Sequence, residues 1–358
     1  MRSYSRREFM KHATAVSAAA YGAPVLRGRA LGTHALGLDN FSVRAMGWKA
    51  PQLIDYAAAL GCSSLFITDL DAFDSLTDDA LSRVRQQAEA KRLKVQLGTW
   101  SIDPTSKAFK PKWGTAAEHL ALGIRAAHAL GSPVLRVVLG TFEDRLTEGG
   151  IDRHIEQVVT VCRGQRARAV DANVKIAVEN HAGDMHSTEL VRLVEAAGRD
   201  YVGVNLDSGN ALWTLEDPID SLRTLAPYVV TTSLRDSAVW ETPKGAAVAW
   251  TAMGEGQIDL PAYFAEFDLL CPGVPVHIET ISGFNREFPY LVPEFWAAWP
   301  HMPASSFARF VALARRGTAR PTFQAPAGVE RAKAEQTYQR GEIERSLRYC
   351  KDTLRLGI

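Results

Sequence analysis

Val174-Lys175-Ile176-Ala177-Val178-Glu179-Asn180-His181 and, one amphipathic stretch later, Val202-Gly203-Val204-Asn205-Leu206-Asp207-Ser208-Gly209-Asn210 decide how this chain is read. Each is a short, β-branched apolar run that stops at an acidic residue. The pattern recurs in Thr231-Thr232-Ser233-Leu234-Arg235-Asp236 and in Val276-His277-Ile278-Glu279-Thr280. A carboxylate at the end of a buried strand is costly unless something pairs with it. Adjacent strands lie about 4.8 Å apart, so four such ends in succession converge on one mouth.

The same rhythm extends outward in both directions. Strands are predicted at residues 36–41, 64–69, 94–100, 134–140, 174–180, 202–207, 229–236 and 276–280. Helical periodicity lies between them, at 50–60, 78–92, 115–130, 152–172, 187–197, 218–225 and 260–270. Strand–helix alternation with short turns implies a parallel sheet, and eight repeats imply closure into a (β/α)8 TIM barrel, of class α/β. A doubly wound open sheet would carry a glycine-rich phosphate loop after its first strand, and residues 36–47 have none. Two stretches fall outside the repeat: a long loop at 240–256 after the seventh strand, and an aromatic, proline-rich loop at 281–303 after the eighth. Both belong to the C-terminal face, where such barrels place their chemistry. The tail at 329–356 reads as a charged amphipathic helix packed on the outside.

The 358 residues, 46% hydrophobic and 23% charged, supply enough apolar material for a large core. The net charge of +1 is uneven. Residues 1–30 hold Arg2, Arg6, Arg7, Lys11, Arg27 and Arg29 against Glu8, a local +5, which leaves residues 31–358 at −4. That surface gives no electrostatic case for nucleic-acid binding. Ser5-Arg6-Arg7-Glu8-Phe9-Met10-Lys11 follows the twin-arginine export pattern. An Ala-rich stretch and Gly28-Arg29-Ala30 come next, as a cleavable leader requires. The expected organisation is therefore a twin-arginine signal peptide at 1–30 and one barrel domain at 31–358, delivered to the periplasm or secreted. No later run is long and apolar enough to span a membrane. The four cysteines, Cys62, Cys162, Cys271 and Cys350, are far apart and read as buried thiols rather than a disulfide framework. A homo-oligomer stays open.

The strand-end series, together with Gly254-Glu255-Gly256-Gln257-Ile258-Asp259, resembles the sugar isomerase and epimerase family of the xylose-isomerase-like superfamily over roughly residues 36–300. The resemblance implies a divalent metal, Mn2+ foremost and Mg2+ as the alternative, held by Glu179, Asp207, the residue at 233 and Glu279. The family commonly has His-x-Lys-Asp where this chain has Ser233-Leu234-Arg235-Asp236. Serine is a poor ligand, which leaves three carboxylates and water as a hard-oxygen site. His277 lies on the same strand face as Glu279 but deeper, where core packing is expected.

The resemblance further implies that His181 and Asn210 face substrate, with His181 a hydrogen-bond donor and Asn210 alternatively a helix cap. Ser233, Arg235 and Asp236 are candidate substrate contacts, with Asp236 equally able to pair with Arg235 or cap the next segment. Trp100 is a candidate stacking surface, as are Trp48, Trp213 and Trp240, each with core or lid packing as its alternative. Arg286, on the loop after the eighth strand, is a candidate for an anionic substituent. The implied activity is that of an isomerase, epimerase or lyase on a keto-sugar, cyclitol or oxidised glycoside. Glu179 and Glu279 would exchange a proton alpha to a carbonyl from opposite sides. Two readings compete with it: a sugar-binding barrel without catalysis, and an endonuclease-IV-like phosphodiesterase, which would need a histidine-rich site.

Overall fold

A computed structural model describes residues 34–357. The export-signal reading of residues 1–30 lies outside the described residues.

Eight parallel strands run around a nearly closed barrel: β1 (Leu36–Asp39), β2 (Ser64–Ile67), β3 (Lys94–Ser101), β4 (Val134–Val138), β5 (Lys175–Glu179), β6 (Val202–Leu206), β7 (Val229–Thr232) and, after an inserted hairpin, β10 (Val276–Ile278). The order is β10-β1-β2-β3-β4-β5-β6-β7. The remaining seam between β7 and β10 is closed by an isolated parallel bridge, Leu234 to Ile278. There the Leu234 amide donates to the His277 carbonyl at 2.7 Å and the Glu279 amide to the Leu234 carbonyl at 2.9 Å. Closure leaves no sheet edge. Both faces of each strand are therefore buried, and the strands read as continuous apolar runs rather than as alternating ones.

Helices fill the intervals, among them Ala50–Ala59, Asp78–Ala90, Ala116–Leu130, Ser187–Ala197 and Pro218–Leu225. Their starts follow local chemistry. Thr115 and Glu118 form a reciprocal capping box, and Asp217 accepts from the amides of Ile219 and Asp220 ahead of Pro218. The predicted single helix at 152–172 is two, Gly150–Gly164 and Arg166–Asp171, with the break at Gln165. The C-terminal helix, Arg331–Asp352, packs outside the barrel and buries Ile343, Leu347 and Cys350. All four cysteines are buried and free.

Most of the stretch predicted as a long loop at 240–256, through residue 251, is instead strand. β8 (Asp236–Thr242) and β9 (Gly245–Thr251) form an antiparallel hairpin, and β11 (Arg286–Phe288) adds to β9. This three-stranded sheet recruits the second region read as loop, where Pro293–Ala298 is also a 3-10 turn, and an unanticipated helix, Ala304–Ala314, packs against it. The two strands of the hairpin pair with each other across Pro243-Lys244, but their alanine-rich sequence carries a weak strand signal, and the third strand is distant in sequence. The sheet, the turn and the helix share a second apolar core that includes Val248, Trp250, Phe288, Trp299 and Phe310. It stands beside the barrel mouth.

Candidate active site

Glu179 ends β5, Asp207 follows β6, and Glu279 follows β10. All three are buried, and one oxygen from each lies within 4.8 Å of the others. The convergence expected from the strand ends is thus present in the geometry. Glu179 and Glu279 line a small pocket of about 60 Å³. Trp100, Arg136, His181, Asn210, Arg235 and Trp250 line it too. Asp207 lies behind Arg235, away from the pocket surface.

Each carboxylate has its own partners. Glu179 Oε2 accepts from Arg136 Nε at 2.5 Å and from Asn205 Nδ2 at 2.9 Å, while Oε1 accepts from Asn210 Nδ2 at 3.3 Å. Asp207 Oδ1 accepts the amides of Gly209 and Asn210 at 2.8 and 3.0 Å, so part of its role is to cap the following turn. Asp207 Oδ2 and Glu279 Oε2 both accept from the same nitrogen, Arg235 Nη2.

These partners set the protonation states. Burial works against the charge on Glu179, but Arg136 overcomes it and holds the carboxyl below its ordinary range. Burial pushes Asp207 up to about 7 against the opposing pull of Arg235, with Glu279 and Glu179 adding to the rise. Burial also raises Glu279 despite Arg235. A fourth carboxyl, Asp39 at the end of β1, is raised well above its ordinary value by burial and by Glu279. Its Oδ2 accepts the Ser233 hydroxyl at 2.8 Å.

The other predicted residues divide. His181 lines the pocket, with its Nδ1 2.8 Å from the Gly140 carbonyl and its ring edge-on to Trp100 at 5.3 Å. A carbonyl only accepts, so Nδ1 carries the proton. Burial lowers the His181 pKa, which leaves the ring neutral with Nε2 as an acceptor, not the expected donor. Asn210 and Trp100 also face the pocket. Ser233 does not: its hydroxyl turns to Asp39. Asp236 is likewise turned away. It accepts the amides of Ser237, Gly254, Gly256 and Ile258, and so clamps the turn after the hairpin. Arg286 stacks over Phe142 and Trp213, at 4.7 and 5.2 Å, outside the pocket lining. Trp213 stacks on Trp250 at 4.3 Å, Trp48 packs edge-on to Tyr56, and Trp240 is buried among alanines. His277 sits in the core beside Phe66, as expected.

The sequence reading missed Arg136, Asp39, Asn205 and Trp250. Arg136 left a signal: it is the single charge within Val134-Leu135-Arg136-Val137-Val138, an otherwise apolar strand. Gly98 on β3 makes room for it, since a Cβ there would lie 3.2 Å from the Arg136 side chain.

The three carboxylates form a group that could hold a metal ion. As folded, however, they do not present themselves to one. Arg235 Nη2 lies between Asp207 and Glu279, both oxygens of Glu179 are engaged, and Ser233 points elsewhere. A divalent ion would have to evict a buried guanidinium.

A model of the xylose isomerase-like TIM barrel family matches residues 54–291. Among curated proteins, the uncharacterised protein YihM of Escherichia coli is 30% identical over 125 residues, 35% of this chain and 37% of that protein's length. The 3-oxo-isoapionate decarboxylase of Pectobacterium atrosepticum is 22% identical over 277 residues, 74% of this chain and 86% of the decarboxylase. Among solved structures, a D-psicose 3-epimerase in the presence of D-fructose superposes with a TM-score of 0.55 at 13% identity, covering 87% of this chain and 94% of the epimerase. That last likeness is one of fold.

Proposed function

The chain belongs to the xylose isomerase-like TIM barrel family, and from that premise we propose that it is an enzyme acting on a carbonyl-bearing carbohydrate by moving a proton on the carbon next to the carbonyl. The observation that carries this is the split between two pocket-lining carboxyls: Glu179 is held ionised by Arg136, while burial favours the neutral form of Glu279. Two carboxyls held toward opposite protonation states supply a base and an acid within one site.

In this reading Glu179 takes the proton from the carbon. The C–H electron pair forms a carbon–carbon double bond, and the carbonyl electrons move onto oxygen. Glu279 then gives its proton back to carbon, which epimerises or isomerises, or to a departing hydroxyl or glycosidic oxygen, which eliminates. His181 Nε2 accepts a substrate hydroxyl, and Trp100 offers its face to the ring. The 3-oxo group in the name of the decarboxylase relative and the ketose named for the epimerase both fit chemistry beside a carbonyl. A keto-sugar, cyclitol or oxidised glycoside is the proposed substrate. The Mn2+ or Mg2+ implied by the resemblance would first have to displace Arg235 from Asp207 and Glu279.

The test is solvent-deuterium incorporation into a panel of keto-sugars and keto-glycosides. Label at the carbon next to the carbonyl is expected. Saturable binding without label would replace the enzyme by a sugar-binding barrel. We further propose export through the twin-arginine route, carried by Arg6-Arg7. Changing both to lysine should retain the protein in the cytoplasm, and unchanged delivery to the periplasm would remove this assignment.

A further inference from the structure

We propose that Arg235 is the resident cation of this site: its guanidinium takes the place of a divalent metal between Asp207 and Glu279, and its remaining N–H groups bind the substrate's carbonyl oxygen and a second substrate oxygen. The substrate part of this proposal rests on the reaction class given above; the cation part does not.

The site is built around this side chain. Arg235 is 2% exposed, and its Nη2 donates to both Asp207 and Glu279. Its backbone is pinned on both sides by one residue: Ser208 Oγ donates to the Arg235 carbonyl at 2.5 Å and accepts from the Arg235 amide at 3.1 Å. Its stem crosses Gly209, where a Cβ would stand 2.4 Å from Arg235 Cγ. Any other residue at 209 would push the arginine out of its course. Above, the Trp250 ring lies 4.5 Å from the guanidinium carbon, a cation–π contact that an apolar lid can offer a flat organic cation. Glycine beneath, serine at the backbone and tryptophan above leave the guanidinium one position.

The charges agree with this assignment. Glu179, Asp207 and Glu279 meet two buried guanidinium groups, Arg136 and Arg235. With Glu279 neutral, as the proposed reaction has it, the two guanidinium charges balance the carboxylates of Glu179 and Asp207. Ser233 completes the argument by what it does not do. It cannot replace an imidazole ligand, and its hydroxyl is committed to Asp39.

Two donors are left unspent. Arg235 Nε and Nη1 are buried without a hydrogen-bond partner, and Arg235 lines the pocket. Buried donors are normally satisfied, so an unpaired pair on a pocket wall marks where ligand oxygens belong. The Nε–H lies on the edge it shares with Nη2 and Nη1 lies on the other side, so the two unspent donors meet two separate oxygens rather than one. As the carbon–hydrogen bond breaks and its proton passes to Glu179, negative charge gathers on the carbonyl oxygen, where fixed donors lower the barrier most. Two separate donors favour a substrate that carries a second oxygen besides the carbonyl, such as a hydroxyketone or a keto acid.

The experiment uses the full chain, stripped with EDTA, and measures metal content and melting temperature with and without added MnCl2. Wild type should hold divalent metal well below one per chain, and Mn2+ should leave its melting temperature unmoved. One tightly held ion per chain, or a saturable rise in melting temperature with Mn2+, would overturn the assignment. Arg235→Ala combined with Ser233→His should acquire a stoichiometric Mn2+ site, and failure to do so in a folded variant would count against it. Should that variant not fold, Arg235→Lys keeps the charge and loses the planar array of N–H donors. Its deuterium exchange should fall by about 100-fold, the scale of losing an oxyanion donor. A rate equal to wild type would overturn the substrate role. Failure of every keto-substrate to exchange would sink the reaction class, while the metal measurements on wild type would still decide the cation.

Discussion

The floor and the wall of the pocket are made by two different kinds of strand. The floor is charged: Glu179 and Glu279 come from the ends of parallel barrel strands, with Asp207 behind them, and Arg136 and Arg235 are their cationic partners. The wall is aromatic: Trp250, stacked on Trp213 at 4.3 Å and met edge-on by Phe284 at 5.5 Å, rises from the antiparallel sheet of β8, β9 and β11. On the floor each side chain's state depends on a specific partner, so one deletion leaves a buried charge exposed to its full desolvation cost. On the wall many contacts share the work, and one ring can be trimmed at modest cost. Arg235 is where the two meet, with its charge on the floor and its face against Trp250. Chemistry should therefore track the floor, and binding the wall.

Four changes would break or sharpen this contrast. Glu179→Gln removes the base and should cut deuterium exchange by about 10²–10⁴-fold, the usual worth of a positioned proton acceptor; a smaller loss would move the base elsewhere. Arg136→Met strips Glu179 of its guanidinium and should destabilise the fold by about 3–5 kcal/mol, as breaking a buried pair does. Urea denaturation reads it, and a loss near zero would mean that the floor tolerates an unpaired carboxylate.

His277 lies below the floor, and burial pushes its pKa down to about 4. The fold holds it neutral. Its contribution is therefore present above the unfolded value of about 6.5 and is lost as pH falls toward 4. Stability should drop by about 2 kcal/mol between pH 7 and pH 5 on its account. Thermal melts of wild type and His277→Gln should converge in acid sensitivity if another group is responsible, and diverge if His277 is. The smallest effect is expected on the wall. Trp250→Phe should cost about 0.5–1 kcal/mol of cation–π contact and raise KM more than it lowers kcat. An equal fall in kcat would show that the wall takes part in the chemistry.

Much of the barrel was legible because its signals are local. Apolar runs of strand length, helical periodicity between them and caps such as Thr115 with Glu118 all act within a few residues. The carboxylates at 179, 207 and 279 could be placed at one mouth because parallel strands share a direction. The hairpin at 236–251 was not legible as sheet. Its two strands pair across the short turn at Pro243-Lys244, but alanine-rich strands carry a weak β signal, and the third strand, 286–288, comes from a distant stretch. Asp236 shows the same limit. An acidic residue after an apolar run reads as a site residue, yet the amide of Ser237 and three more from a distant turn claim it.

The sequence by itself determined the alternation of strand and helix, the acidic strand ends and the absence of histidine at 233. It could not say what answers those acids. Arg136 and Arg235 are ordinary letters in the chain, one inside a strand and one beyond the end of another. Only closure of the barrel brings them against carboxylates up to 44 positions away. Burial there makes each charge depend on its partner, and no periodic pattern encodes that dependence.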